Sequence, residues 1–177
     1  GLDGLYIIGM NTGKKQGSKQ KKLGFDASIV NHLPWPERHN YDVLIKKLLQ
    51  IFGKTRGKLA YQNLFKKPFH IYSFRDNDPG FVVEEDLDYE YFPCILSNWD
   101  NTPRFGIRGK IALDLSPSVF KQQLKKALGR VENAPDGHRI VFIKSWNEWA
   151  EGNYLEPDLK YGHAYLQAVK DAVDETQ

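Results

Sequence analysis

Sulfur is scarce in this sequence: its 177 residues include one cysteine, Cys94, and one methionine, Met10. A single cysteine excludes an internal disulfide framework and any multi-cysteine zinc site. Long apolar runs are also lacking. None approaches the ~18 residues that a membrane helix requires, so no membrane-spanning helix is expected. There is no glycine-rich phosphate loop, and the five histidines show no metal-ligand spacing. No cofactor and no metal site are therefore expected. No charged segment followed by an apolar stretch precedes the first predicted strand, so no targeting leader is expected either. An excess of one charge is nearly absent, with 25 Lys and Arg against 22 Asp and Glu, for a net +3. Most of that excess sits at Lys14, Lys15, Lys19, Lys21 and Lys22. The run is mixed with Gly13, Gly17 and Ser18 and has no interleaved aromatics. Such a run could bind nucleic acid or anionic lipid, but it reads as a solvated loop or short surface helix, and nucleic acid is not expected as a partner.

What is present is an ordinary globular mixture, 41% hydrophobic and 27% charged, long enough for one domain with a sizeable core. Leu5-Tyr6-Ile7-Ile8 reads as a short buried strand, and Gly24 to Val30 as a second. The second exits into Asn31, His32 and Trp35, where Pro34 and Pro36 break regular structure. Helical spacing over Tyr41 to Phe52 predicts a helix capped at Asn40 and ended by Gly53. Residues 57–88 read as a long irregular connection with one strand at Phe69 to Phe74. Tyr91 to Leu96 is another apolar strand. Ser116-Pro117 opens a helix with Phe120, Leu124, Ala127, Leu128 and Val131 on one face. Arg139 to Lys144 is the last strand and Tyr161 to Val173 the closing helix. Strands alternating with helices or long connections predict a mainly parallel sheet. In such folds ligands bind beyond the carboxyl ends of the strands, where three polar clusters fall: Asn31-His32, Asn98 to Asn101, and Asn147 to Glu151.

The last cluster, Trp146-Asn147-Glu148-Trp149-Ala150-Glu151-Gly152, puts two carboxylates three residues apart between two tryptophans. In an extended strand they would point to opposite faces, but in a helical turn they point the same way. A strand that ends near Asn147 and turns sharply would bring both into one cleft. Two close carboxylates do not ionise together easily, which divides them into the acid and base that glycoside hydrolysis needs. Trp146 and Trp149 offer flat apolar faces for pyranose rings. The bland alternative makes both tryptophans core and both glutamates surface charges. Trp99, Asp100, Asn101 and Arg104 supply a second platform, a carboxylate, an amide and a guanidinium that can hydrogen-bond vicinal hydroxyls or pair with a site carboxylate. Alternatively, Asp100 and Asn101 form only a turn that stops the strand. His32 sits where a binding loop would, although a lone loop histidine is more often a surface residue. Cys94, inside an apolar strand, reads as a buried small hydrophobe.

The run Ser145 to Asp158, followed by Lys160-Tyr161-Gly162-His163-Ala164-Tyr165-Leu166, resembles the C-terminal end of WbsX-type proteins. These are glycosyltransferase-like proteins of polysaccharide and O-antigen biosynthesis, related to glycoside hydrolase family 99. Gly24 to Ala27 and Trp99 to Arg104 add to the likeness, which spans nearly the whole chain. The resemblance implies an α/β fold, the C-terminal half of a (β/α)8 barrel with its last four strand–helix units, so that residues 1–177 form one partial domain. It implies Glu148 as the base that takes a proton from a sugar 2-hydroxyl and Glu151 as the acid that protonates the leaving oxygen. Substrate contacts would come from Asn147, Trp146, Trp149, Tyr154, Glu156, Trp99, Asp100, Asn101, Arg104 and His32. Ala150 stands where the hydrolases have histidine, and Asn101 where they tend to have aspartate, so a mannoside specificity does not carry over. The implied activity is cleavage or transfer of glycosidic bonds in an oligosaccharide or polysaccharide. The alternatives are a glycosyltransferase of lipopolysaccharide or capsule assembly and a non-catalytic glycan-binding scaffold. Association through open barrel edges and a cytoplasmic location complete the expectations.

Overall fold

In the computed structural model, residues 4–11, 14–30, 43–66, 70–74, 81–83 and 85–176 are described. The main sheet is parallel and four-stranded, in the order β1 (Ile8–Asn11), β2 (Ala27–Val30), β4 (Glu90–Leu96), β7 (Phe142–Lys144). A second sheet lies between β2 and β7 in the chain: β3 (His70–Ser73) pairs parallel with β6 (Lys110–Leu113), which pairs antiparallel with β5 (Trp99–Asp100). The antiparallel pair β8 (Asn147–Glu148) and β9 (Asn153–Tyr154) follows β7. The helices are α1 (Lys14–Lys22), α2 (Val43–Phe65), α3 (Thr102–Phe105), α4 (Pro117–Val131) and α5 (Ala164–Asp174). An α/β fold with parallel strands is therefore present, as the alternating pattern predicts.

Strand β4 is central, and six of its seven residues are buried. A strand covered on both faces needs no polar alternation, which is why Tyr91 to Leu96 reads as a continuous apolar run. Pro93 is tolerated because it sits at a handover: residues 90–93 pair with β2 and 94–96 with β7. One face of the sheet gathers Ala27, Ile29, Phe92 and Cys94, with Ile8 and Phe142 beside them. Burial pushes the Cys94 thiol up to about 11, consistent with the inert small hydrophobe expected. On the other side, Ile95 meets the apolar stripe of α4, namely Phe120, Leu124 and Ala127. That stripe in turn packs on Tyr165, Ala168 and Ala172 of α5, with the Phe120 and Tyr165 rings edge to face at 5.6 Å. Ser116 caps α4 by accepting a bond from the Val119 N–H, and Pro117 follows at the first helical position.

Several boundaries depart from the sequence reading. The first strand begins at Ile8 rather than ending there, and Leu5, Tyr6 and Ile7 are exposed. The lysine run forms the surface helix α1. Gly53 does end the first helical segment, through φ 73° and ψ 166°, but a second segment continues to Phe65, where an irregular connection was expected. The two arms fold against each other: a Cβ on Gly57 would lie 2.7 Å from the Leu48 carbonyl oxygen. Only a glycine admits that backbone contact.

Candidate functional site

The site is built where β4 and β7 end. Asn153 of β9, fully buried, joins the two strand ends. Its Oδ1 accepts from Ser97 Oγ at 3.3 Å and from the Ser145 N–H at 3.1 Å, while Ser145 Oγ donates to the Asn153 carbonyl at 2.8 Å. The Trp146 carbonyl accepts from the Leu155 N–H at 2.9 Å and the Glu156 N–H at 3.3 Å. A short 3-10 turn, Trp149–Glu151, therefore sits on a fixed base and ends at Gly152, which is left-handed with φ 60° and ψ 24°. The sharp turn after Asn147 that the spacing required is present.

Glu148 and Glu151 converge on one guanidinium. Arg104 Nη2 lies 3.3 Å from Glu148 Oε1, and Arg104 Nη1 lies 3.6 Å from Glu151 Oε1. The two terminal nitrogens are about 2.3 Å apart on the planar fork. The two carboxylate oxygens are therefore separated by no more than about 9 Å. Glu151 has a second cation, with Lys144 Nζ at 3.5 Å from its other oxygen. The same ammonium lies over the Trp99 ring, 4.8 Å from its centroid. Lys144 escaped the sequence reading because a lysine at a strand end looks like a solvated charge. Strand alternation was the available signal, since it places Lys144 on the same face as Phe142.

The aromatic groups divide. Trp149 and Tyr154 stack with centroids 3.7 Å apart and 15° between planes. Trp149 Nε1 donates to Glu156 Oε2 at 2.6 Å, and the Tyr154 hydroxyl donates to Asp158 Oδ2 at 2.9 Å. Burial, with Asp158 adding to it, pushes the Tyr154 hydroxyl up to about 12. The indoles of Trp146 and Trp149 are half exposed, whereas Trp99 packs against the main core. Asp100 Oδ1 accepts from the backbone N–H and hydroxyl of Thr102, at 2.9 and 2.6 Å. Buried Asn101 accepts from the Lys110 N–H at 2.6 Å. Both residues are engaged in holding the turn, and Arg104 is the member of that cluster that meets the glutamates. Asn147 is exposed on β8. His32 lies outside the described residues.

Among the described residues no group of three or more His, Cys, Asp or Glu could hold a metal ion. A cleft of about 390 Å³ opens at the opposite end of β4, lined by Glu90, Tyr91, Arg130 and His138 among others. Glu90 there accepts from the Tyr6 hydroxyl at 2.6 Å and lies 2.6 Å from His138 Nδ1. That end carries the amino termini of the parallel strands, away from the edge where α/β folds bind ligands.

These features define a class: an α/β protein with paired carboxylates and open indoles at the carboxyl edge of a parallel sheet. The family model described as Glycosyltransferase WbsX matches residues 1–169, and the chain belongs to that family. Proteins named "Uncharacterized protein WxcX" from two strains of Xanthomonas campestris pv. campestris are each 45% identical over 87 residues. That alignment covers 49% of this chain and 12% of each relative, so the chain matches only about an eighth of their length. A solved structure titled "Glycoside hydrolase-like protein" aligns over 96% of this chain and 44% of its own, at 18% identity and a TM-score of 0.49.

Proposed function

We infer that the chain is a module of a carbohydrate-active enzyme that cleaves or transfers glycosidic bonds of an oligosaccharide or polysaccharide. The observation that carries this reading is the convergence of Glu148 and Glu151 on Arg104. Their bounded separation, no more than about 9 Å, reaches no further than the carboxylate spacings of glycosidases. In this reading Glu148 takes the proton of the sugar 2-hydroxyl as that oxygen attacks the anomeric carbon of its own ring. Glu151 delivers a proton to the departing glycosidic oxygen, then draws one from the water or acceptor hydroxyl that attacks the anomeric carbon of the 1,2-anhydro ring. The bond from that carbon to the 2-oxygen breaks as Glu148 returns its proton to the 2-oxygen. Protons balance over the cycle, and the anomeric configuration is retained. Arg104 and Lys144 hold the carboxylates in place. The indoles of Trp146 and Trp149 meet the C–H faces of the sugar rings. The four parallel strands serve as the last four strands of a barrel, with β7 leading into the catalytic turn.

The test is turnover by the full-length protein on a panel of bacterial polysaccharides, read as new reducing ends or transferred products. Glu148→Gln and Glu151→Gln are each expected to lower the rate by at least about 100-fold. An unchanged rate in either variant would refute that residue's role. A second reading, glycan binding without turnover, draws on the half-exposed Trp146 and Trp149. It predicts that Glu148→Gln binds oligosaccharide as the parent does and that no product forms with either protein. A nucleotide-sugar transferase, the activity the family name suggests, would instead show affinity for a sugar nucleotide.

A further inference from the structure

The helical hairpin α2 carries chemistry that the proposed site does not use. Residues 43–66 contain six cations, Lys46, Lys47, Lys54, Arg56, Lys58 and Lys66, and no aspartate or glutamate. That local imbalance is twice the net charge of the whole chain, which is +3. The same stretch turns large apolar side chains toward solvent. Ile51 is 71% exposed, Leu64 68% and Phe52 52%, with Leu59 and Phe65 also exposed. Ile51 and Phe52 are adjacent at the turn, and adjacent exposed apolar groups of this size mark an interaction surface.

The order of residues at the tip is informative. Ile51 and Phe52 end the first arm, Gly53 reverses the chain, and Lys54 and Arg56 open the second arm. An apolar pair is thus followed within four residues by a cationic pair. In the first arm Leu48, Ile51 and Phe52 share one arc, and Lys46, Lys47 and Gln50 occupy the other. The second arm is anchored to the body by Gln62, whose buried amide donates to the Ile107 carbonyl at 2.6 Å. Ile107 lies in the turn that follows α3, the helix that carries Arg104.

We propose that the α2 hairpin docks the protein on an anionic lipid surface. Ile51 and Phe52 enter the boundary between headgroups and acyl chains, and Lys54 and Arg56 beside them face the lipid phosphates, within the wider positive field of the hairpin. Charge complementarity selects this occupant. A second copy would bring six like charges against six, and a nucleic acid would leave Ile51, Phe52 and Leu64 in water. The hairpin lies on the bilayer rather than through it, since no described helix is long and apolar enough to cross a membrane. The docking does not depend on the chemistry assigned to the glutamates.

The test is co-sedimentation of the full chain with vesicles of pure phosphatidylcholine and with vesicles containing one quarter phosphatidylglycerol. Binding is expected to the anionic vesicles and not to the neutral ones. Each cation near the surface contributes about a fivefold factor in partitioning. Lys54→Gln with Arg56→Gln should therefore weaken binding about 25-fold. Ile51→Ser with Phe52→Ser should weaken it at least tenfold at unchanged charge. Circular dichroism would confirm that both double variants keep the parental helix content. A Phe52→Trp chain, compared with the parent, should lose added fluorescence to brominated acyl chains. No binding to anionic vesicles overturns the proposal, as does binding that the Ile51/Phe52 change leaves intact. Capture of RNA by the hairpin cations without vesicle binding would overturn it in favour of a nucleic-acid surface.

Discussion

Two glycine-to-alanine substitutions should move stability in opposite directions. Gly152 closes the Trp149–Glu151 turn at φ 60°, and a Cβ there would lie 2.9 Å from the Asp100 backbone nitrogen and 3.1 Å from its carbonyl oxygen. The left-handed conformation alone costs an alanine about 1–2 kcal/mol. The clash is with backbone of β5, which has no rotamer to yield, so a forced shift adds about 1–3 kcal/mol. Gly152→Ala should therefore destabilise by about 2–5 kcal/mol, lowering Tm by roughly 4–20 °C for a chain of this size. Gly129, in α4, has open space around it, with nothing within 4 Å of where a Cβ would stand. Gly129→Ala should stabilise by about 0.5–1 kcal/mol, because a helix-interior alanine loses less backbone freedom than glycine. Urea unfolding followed by circular dichroism measures both. A Gly152→Ala midpoint equal to that of the parent would refute the reasoning, as would shifts of the same sign.

Arg104→Met removes two partly exposed ion pairs worth together about 1 kcal/mol or less. It should leave Tm within a few degrees of the parent while lowering turnover of the full-length protein about 100-fold. Unchanged turnover would remove Arg104 from the site. Burial pushes the Asp158 carboxyl up, but bonds from the Tyr161 N–H, the Tyr154 hydroxyl and the Lys160 N–H outweigh it and hold the group below its usual value. Its contribution to stability is therefore present above the ordinary carboxylate range and lost as pH falls below about 4. Asp158→Asn should flatten that acid limb of the stability–pH curve, and an identical limb would contradict the assignment. Ser116→Ala should cost about 0.5–1 kcal/mol, the lower part of the capping range, since the capping bond is long at 3.4 Å. Thermal unfolding measures this.

Local pattern was enough for α4, where Ser116, Pro117 and the Phe120–Leu124–Ala127 stripe all point to one helix. It was also enough for β4, whose uninterrupted apolar residues require burial on both faces. It failed where pairing, not polarity, sets the element. Strand β1 runs from Ile8 to Asn11 because those residues register with Ala27 to Val30, and the more apolar Leu5 to Ile7 lie outside the ladder. Strand β6 was invisible because its four residues are defined by a partner forty positions earlier. The second arm of α2 was missed because Thr55 and Gly57 lower helix propensity, and its compensation, contact with Leu48, is tertiary. At the candidate site the motif gave both glutamates and the turn between them. Arg104 was legible as an optional partner, and Lys144 only through strand alternation.

The Arg104–Glu148 contact joins residues 44 positions apart, across the whole passage from α3 through β6, α4 and β7 to β8. The site is therefore a report on chain closure as well as a chemical arrangement. Closing a span of that length costs entropy that is recovered only when the strands at both ends have paired. Refolding should restore helical signal from α4 and α5 before any property that depends on Arg104 facing the glutamates. A destabilising change anywhere in that span then acts on the site as an all-or-none loss rather than as a graded loosening.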